Sequence, residues 1–335
     1  MLQLHYCQHL PGAKVQELQQ ATFVGKHCSG SGVMVAESQT QGVLSQNGTC
    51  KNGTLNSASQ NGSSKKNGSC VTVDSPSQIS EFYPKNNLGC SEEEWKVRVD
   101  LAAIHRLCNN NCWNEGIQNH LTAAVPGCTD QFLIIAFGLL WSQVTASNLL
   151  TVDSEGKVLR GEGKPEATAF WIHSRLHLKH PLAGCVAHTH QPWATALCCL
   201  QDMELPMCHQ NNLRFYDDIA YDRQYKGLIL DGYEGDRLAK IMDGKRTLLH
   251  ANHGIIVCTE TVAEAFDYLY YLEKAGEITV KAMSTGRPLQ LIPDNVCKVF
   301  HTDMEPPHLV KEFARLHLES HKKQFLKTID ADYCL

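Results

Sequence analysis

The chain has 335 residues, enough for one large domain or two modest ones. It carries 30 Lys+Arg against 35 Asp+Glu, a formal net charge of −5, and 43% of its residues are hydrophobic. That balance excludes a nucleic-acid binder relying on a basic face, and no apolar run approaches the roughly 20 residues that would span a bilayer.

The first 14 residues, Met1 to Lys14, lack the continuous apolar core of a secretory signal. The expected location is therefore cytoplasmic. The 15 cysteines are odd in number and irregularly spaced, with no CxxC pair. They read as free thiols in a reducing compartment, several of them acting as small buried hydrophobes.

In chain order, residues 1–90 stand apart. Between Gln46 and Cys70 one theme repeats: Gln46-Asn-Gly-Thr, Lys51-Asn-Gly-Thr, Gln60-Asn-Gly-Ser, Lys66-Asn-Gly-Ser. Such tracts hold almost no apolar surface to bury, so a disordered N-terminal segment is expected. Each repeat is a formal N-glycosylation sequon, but with no secretory signal a flexible tether is the preferred reading.

Order should begin at Ser91, whose hydroxyl stands three residues ahead of Glu94 in a capping-box pattern. Trp95, Val97, Leu101, Ile104, Leu107 and Cys108 recur at helical spacing and predict a helix to about Asn109. Phe132 to Ile135 and Leu149 to Val152 read as strands, and Phe170 to Lys179 as a helix stopped by Pro181. Cys185 to His190 reads as a strand, followed by an apolar helix from Trp193 to Leu200. Thr247 to Leu249 and Ile255 to Cys258 read as strands flanking His253, and Thr261 to Met283 as a long amphipathic helix. A last helix is expected over Leu309 to Phe325. The mixture predicts an α/β domain over residues 91–293 and a C-terminal helical tail over 294–335.

His188 and His190 lie two apart in a predicted strand, so both side chains leave the same face. His253 precedes Gly254, where glycine permits a turn or a close approach. Three histidines and an open fourth position is the pattern of a catalytic zinc site. Against this, an HxH pair alone is weak evidence in a chain of 17 histidines. His105, His177, His180, His250 and His301 read as helix-face or solvent histidines, while His120 and His173 are less easily set aside.

Several blocks in order carry a resemblance: Phe137-Gly-Leu-Leu with Val144-Thr-Ala-Ser, His173-Ser before Pro181, Ala187-His-Thr-His, Asn252-His-Gly-Ile-Ile, and Thr261-Val-Ala-Glu-Ala-Phe. From about Val97 to Ile292 the chain resembles the class II aldolase/adducin family. The resemblance implies a three-layer α/β/α domain with a central, mainly antiparallel sheet. It also implies a homo-oligomer, typically a tetramer, with sites at subunit boundaries, and zinc held by His188, His190 and His253.

One departure stands out. Where sugar-phosphate aldolases of that family carry a Ser-Ser-Glu-like motif, this chain has Ala167, Thr168 and Ala169. Alanine cannot move a proton, and only Thr168 retains a hydroxyl to meet a substrate phosphate. Glu166 could substitute as the base, although an exposed loop carboxylate beside Lys164 is the expected state of such a residue. His120 falls where the aldolases place a substrate-contacting asparagine. Gly138 belongs with the substrate loop, and Tyr216 and Tyr221 could lie near a neighbouring subunit's site. Two functions follow as expectations. One is a zinc-dependent carbon–carbon lyase that acts on a small hydroxy-carbonyl compound through a metal-stabilised enediolate. The other is a non-catalytic adducin-like protein that binds the actin–spectrin membrane skeleton.

Overall fold

The computed structural model describes residues 83–227, 232–304, 307–325 and 331–335. The expected disordered segment over 1–90 lies almost wholly outside them. Eight strands form one sheet in the order β4-β3-β2-β1-β5-β8-β7-β6. They are β1 His120–Ala124, β2 Gln131–Ile134, β3 Leu150–Asp153, β4 Val158–Arg160, β5 Cys185–Thr189, β6 Ile219–Asp222, β7 Thr247–His250 and β8 Gly254–Thr259. Every neighbouring pair is antiparallel except β6 with β7, as the family resemblance implied.

Among the described residues seven α-helices accompany the sheet: α1 Glu92–Asn110, α2 Ala167–Lys179, α3 Pro192–Cys198, α4 Gly232–Met242, α5 Val262–Met283, α6 Asp294–Met304 and α7 Pro307–Phe325. Helix α1 starts where Ser91 accepts from the Glu94 amide, satisfying one of the amides the first turn leaves open. Thr261 does the same for α5 through Glu264.

Because side chains alternate across a strand, each central strand feeds two cores. Leu121, Ala187, Ile255 and Val257 point with α1, α3 and α5 into the larger core, anchored by Trp95, Trp141 and Phe266. Val186, Leu248, Ile256 and Cys258 point to the other face, against Ile172 and Leu176 of α2 and Leu238 and Met242 of α4. The result is three layers. Leu318 and Phe325 of α7 and Tyr333 beyond it join the larger core. Among the described residues the cysteines are free thiols, and no helix is long and apolar enough to cross a membrane.

Helix α4 contains Gly232 and Gly235, poor helix formers in an interior. A Cβ on Gly235 would stand 2.8 Å from the Trp171 carbonyl and 2.8 Å from the Arg175 Cβ. The bare glycine is what lets α4 lie directly on α2.

Candidate metal centre

The strand register brings the histidines together. His188 of β5 lies directly opposite His120 of β1 and Ile256 of β8, so its side chain leaves on the α2/α4 face. Strands β7 and β8 form a hairpin with His250 opposite Gly254. Asn252 in its loop adopts φ 56°, a left-handed turn that asparagine tolerates. The turn carries His253 over the end of β5. Gly254 permits the approach, since a Cβ there would stand 2.6 Å from His190 Cδ2 and 2.8 Å from the Thr189 carbonyl.

The rings of His188, His190 and His253 pack with centroids 4.9, 4.8 and 5.0 Å apart. Each offers one nitrogen, and all three lie within 4.8 Å of one another. Hydrogen bonds on the far side of the rings decide which nitrogens these are. His188 Nδ1 lies 2.9 Å from the Ile255 carbonyl, which can only accept, so Nδ1 carries the proton. His190 Nδ1 lies 2.9 Å from the Glu115 carboxylate, with the same consequence. His253 Nδ1 lies 3.2 Å from His250 Nδ1. For His188 and His190, Nε2 remains as the free lone pair, and His190 Nε2 is buried with no hydrogen-bond partner.

Desolvation keeps two of these rings, His188 and His253, neutral. Desolvation, reinforced by His253 and His190, holds His188 well below an ordinary imidazole. Desolvation with His250 and His190 lowers His253 to about 4. Imidazoles held from behind through Nδ1, with ring nitrogens gathered on one side, are what a divalent ion requires of histidine ligands. The residues fit a metal.

The model of the class II aldolase and adducin N-terminal domain matches residues 99–280, more than half of the chain. The chain belongs to the class II aldolase and adducin family. A Pseudomonas aeruginosa protein assigned by name to aldolase class 2 is 35% identical over 207 residues, covering 62% of this chain and 79% of that one. Mouse alpha-adducin is 33% identical over 220 residues, but the match spans only 29% of its length. Among solved structures, an aldolase II superfamily protein from Pseudomonas syringae superposes with TM-score 0.68 at 30% identity, covering 74% of this chain and 98% of that one. An L-fuculose 1-phosphate aldolase from Glaciozyma antarctica shares the fold, with TM-score 0.63 at 21% identity over 76% of this chain and 98% of that one.

In this class II aldolase/adducin domain the remaining expected site residues divide. Glu166 is not the exposed loop carboxylate expected of it. It is the N-cap of α2, its Oε2 accepting from the Ala169 amide at 2.7 Å, with its side chain 20% exposed. Its Oε2 also lies 3.8 Å from His120 Nε2. That separation is too long for a hydrogen bond, and His120 Nε2 is buried without one. Burial beside His105 and His190 lowers His120 to about 3, so it stands neutral. Thr168 donates to Glu166 Oε1 at 3.1 Å. Gly138, at φ 94°, lies in the exposed turn after β2, which is tied to this segment by Phe137 N donating to the Lys164 carbonyl at 2.8 Å. His120, Glu166 and Thr168 thus meet at the start of α2, beside the triad, with the Gly138 turn close by.

Tyr216 does not join them within the chain. Its hydroxyl donates to Asp294 of α6 at 2.6 Å and its ring packs against His301. Tyr221 takes a long 3.4 Å hydrogen bond from the Leu205 amide.

Three of the histidines read as helix-face or solvent groups, His105, His180 and His250, are buried. His105 is fully buried within α1, its Nδ1 on the Leu101 carbonyl at 2.7 Å and its ring against Trp141. His177 and His173 both engage Thr122 Oγ1, each at 2.8 Å. His250, also buried, backs His253 directly. His250 and Glu115 are functional neighbours that sequence reasoning missed. His250-x-x-His253 was visible as a spacing, whereas nothing marked Glu115.

Proposed function

We propose that the chain is a metal-dependent enzyme that breaks a carbon–carbon bond in a small hydroxy-carbonyl compound, with zinc as the ion at His188, His190 and His253. The observation that carries this reading is the set of three half-buried imidazoles, each with Nδ1 engaged by a partner behind it, gathered around one point in front. Such a set with an open position is characteristic of catalytic zinc. When bound, the ion supplies Lewis acidity toward the substrate's carbonyl and hydroxyl oxygens.

The protein's own groups supply the proton chemistry. Position 169 is alanine and offers none. Glu166 folds back onto the Ala169 amide, bringing a carboxylate to the backbone of that same position. Glu166 is therefore the group we assign to take the proton from the substrate hydroxyl as the carbon–carbon bond breaks and its electron pair moves toward the carbonyl. Neutral His120 beside it orients the substrate's polar end, and Thr168 and the Gly138 turn border the same space. Free cysteines fit a cytoplasmic setting. A homo-oligomer, with Tyr216 beside a neighbouring chain's site, belongs to the same proposal.

The test is a panel of small hydroxy-carbonyl compounds incubated with zinc-loaded protein, followed for cleavage and for solvent deuterium uptake, with acetohydroxamate binding measured in parallel. Turnover of at least one compound, reduced roughly 10²-fold or more in Glu166→Gln, supports the reading. Absence of both turnover and hydroxamate binding contradicts it.

The similarity to alpha-adducin favours a second reading, a non-catalytic module that binds the actin–spectrin skeleton. Co-sedimentation with actin filaments, with and without spectrin, tests it directly, and absence from the pellet ends it.

A further inference from the structure

Behind His253 a file of buried polar groups crosses the α2/α4 layer. His250 closes β7, Asp222 closes β6 in parallel register with it, and α4 sets Glu234 and Arg237 above both. His250, Asp222 and Glu234 are 3%, 2% and 6% exposed. Arg237 grips both carboxylates: Nη1 to Asp222 Oδ1 at 3.0 Å, Nη2 to Asp222 Oδ2 at 2.5 Å, Nε to Glu234 Oε2 at 2.8 Å, and Nη2 again to Glu234 Oε1.

Asp222, Glu234 and His250 also place their ligand atoms within 4.8 Å of one another, which could suggest a second metal site. The Arg237 guanidinium already occupies that cluster as its cation, with its forks matched to the carboxylates. The cluster is better understood through what it does to His250.

Every group in the file has a forced role. Arg237 can only donate, and the ionised Asp222 can only accept. His250 Nε2 lies 3.3 Å from the Asp222 carboxylate oxygen Oδ2. The alignment toward Asp222 falls short of a formed hydrogen bond, leaving a charge contact. The negative charge there favours the proton on Nε2. The neutral ring then has a bare Nδ1, which accepts from His253 Nδ1 at 3.2 Å. His253 is left with its Nε2 lone pair facing His188 and His190.

We propose that His250, backed by Asp222 and Arg237, forms an outer shell that fixes the tautomer and orientation of His253 and thereby sets how tightly the three-histidine site holds its ion. The proposal rests on the metal-site reading above. Its reach is long, because it ties the grip on a metal at the end of β5 to an ion pair carried on α4. His250, Asp222 and Arg237 are positioning residues, none of which touches the ion.

Zinc affinity of the full chain, measured by chelator competition, tests this. His250→Leu removes the acceptor for the His253 proton and is expected to weaken zinc binding roughly 10- to 100-fold, the usual cost of losing an outer-shell partner. His250→Gln, whose amide oxygen can accept that proton, should recover most of the loss. Asp222→Asn, which keeps an acceptor but loses the charge, should fall between. Long-range 15N NMR of the metal-free protein gives a second readout. His253 should carry its proton on Nδ1 in wild type and become a tautomer mixture in His250→Leu, which a purely packing role would not produce. Folded His250→Leu binding zinc as tightly as wild type overturns the proposal, as does a wild-type His253 protonated on Nε2. Wild-type protein without zinc affinity would defeat the metal-site reading instead, and the NMR result would still decide whether the shell sets the tautomer.

Discussion

Replacing Gly254 by alanine is a small change with a large expected effect. A Cβ at this position would stand 2.8 Å from the Thr189 carbonyl, 2.6 Å from His190 Cδ2 and 3.2 Å from His190 Nε2. The carbonyl belongs to β5, in the middle of the sheet, and cannot retreat without disturbing its pairing with β8. The His190 ring can move, but only by leaving its place against His188 and His253. Overpacking of this kind costs about 1–3 kcal/mol. At roughly 2–4 °C per kcal/mol for a domain of this size, the metal-free protein should melt about 2–12 °C lower. The displaced ring should also cost zinc affinity, because one of three ligands has lost its aim. Thermal unfolding of the metal-free protein and zinc competition on the same sample measure the two effects separately. Gly254→Ala protein with wild-type melting temperature and wild-type zinc affinity would refute the reasoning.

Other consequences follow from buried groups elsewhere. His105 and His177 are each lowered by desolvation from 6.5 to about 4, so the unfolded chain binds protons that the folded chain refuses. Their contribution is complete above about pH 6.5 and is lost as pH falls toward 4, by up to ~3 kcal/mol per group. Urea unfolding at pH 7 and pH 4.5 should show this loss, and His105→Leu should show a shallower pH dependence than wild type. Fully buried Arg98 donates to the Leu149 carbonyl at 2.9 Å, to Thr151 Oγ1 at 2.5 Å and to Glu94 at 2.8 Å. Arg98→Met strands Glu94 and those acceptors, and denaturant titration should find ~3–5 kcal/mol of stability gone. Glu166→Ser keeps a side chain able to cap α2 while removing the carboxylate, so stability should change by less than about 0.5 kcal/mol while turnover of any substrate found falls as in Glu166→Gln. Unchanged turnover in folded Glu166→Ser would show that Glu166 matters for the cap alone.

Much of the architecture was readable because it is written in periodicity. Helices α1 and α5 carry long apolar stripes and capping residues, and β5 and β8 are dense in residues that must be buried. The elements that escaped share a cause. His120–Ala124 is short and alanine-rich and shows no alternation. Ile219–Asp222 is a four-residue strand whose partner in β7 comes 28 residues later. Helix α4 contains two glycines that local propensity counts against it, and their value appears only when α2 is laid alongside.

The site divides in the same way. The metal ligands stand in local patterns, a His-x-His on a strand and a His-Gly at a hairpin. Their supports do not: Glu115 reaches His190 from 75 residues away. His250 looked like a surface histidine because nothing in its neighbourhood of sequence announces Asp222 and Arg237. Glu166 looked like a solvated carboxylate because its role depends on where α2 begins, and the helix starts three residues earlier than its apolar pattern suggests, at Ala167. Spacing together with the family resemblance named the three candidate histidines; only the fold shows what holds them in place.

The central claim is that His188, His190 and His253 present three Nε2 lone pairs to a single ion. Zinc stoichiometry by elemental analysis of the metal-reconstituted full chain, wild type beside His253→Ala, tests it most directly. The account predicts one zinc per wild-type chain and loss of that zinc in a folded His253→Ala variant. Wild-type protein that binds no zinc, or His253→Ala protein that holds it undiminished, would contradict it.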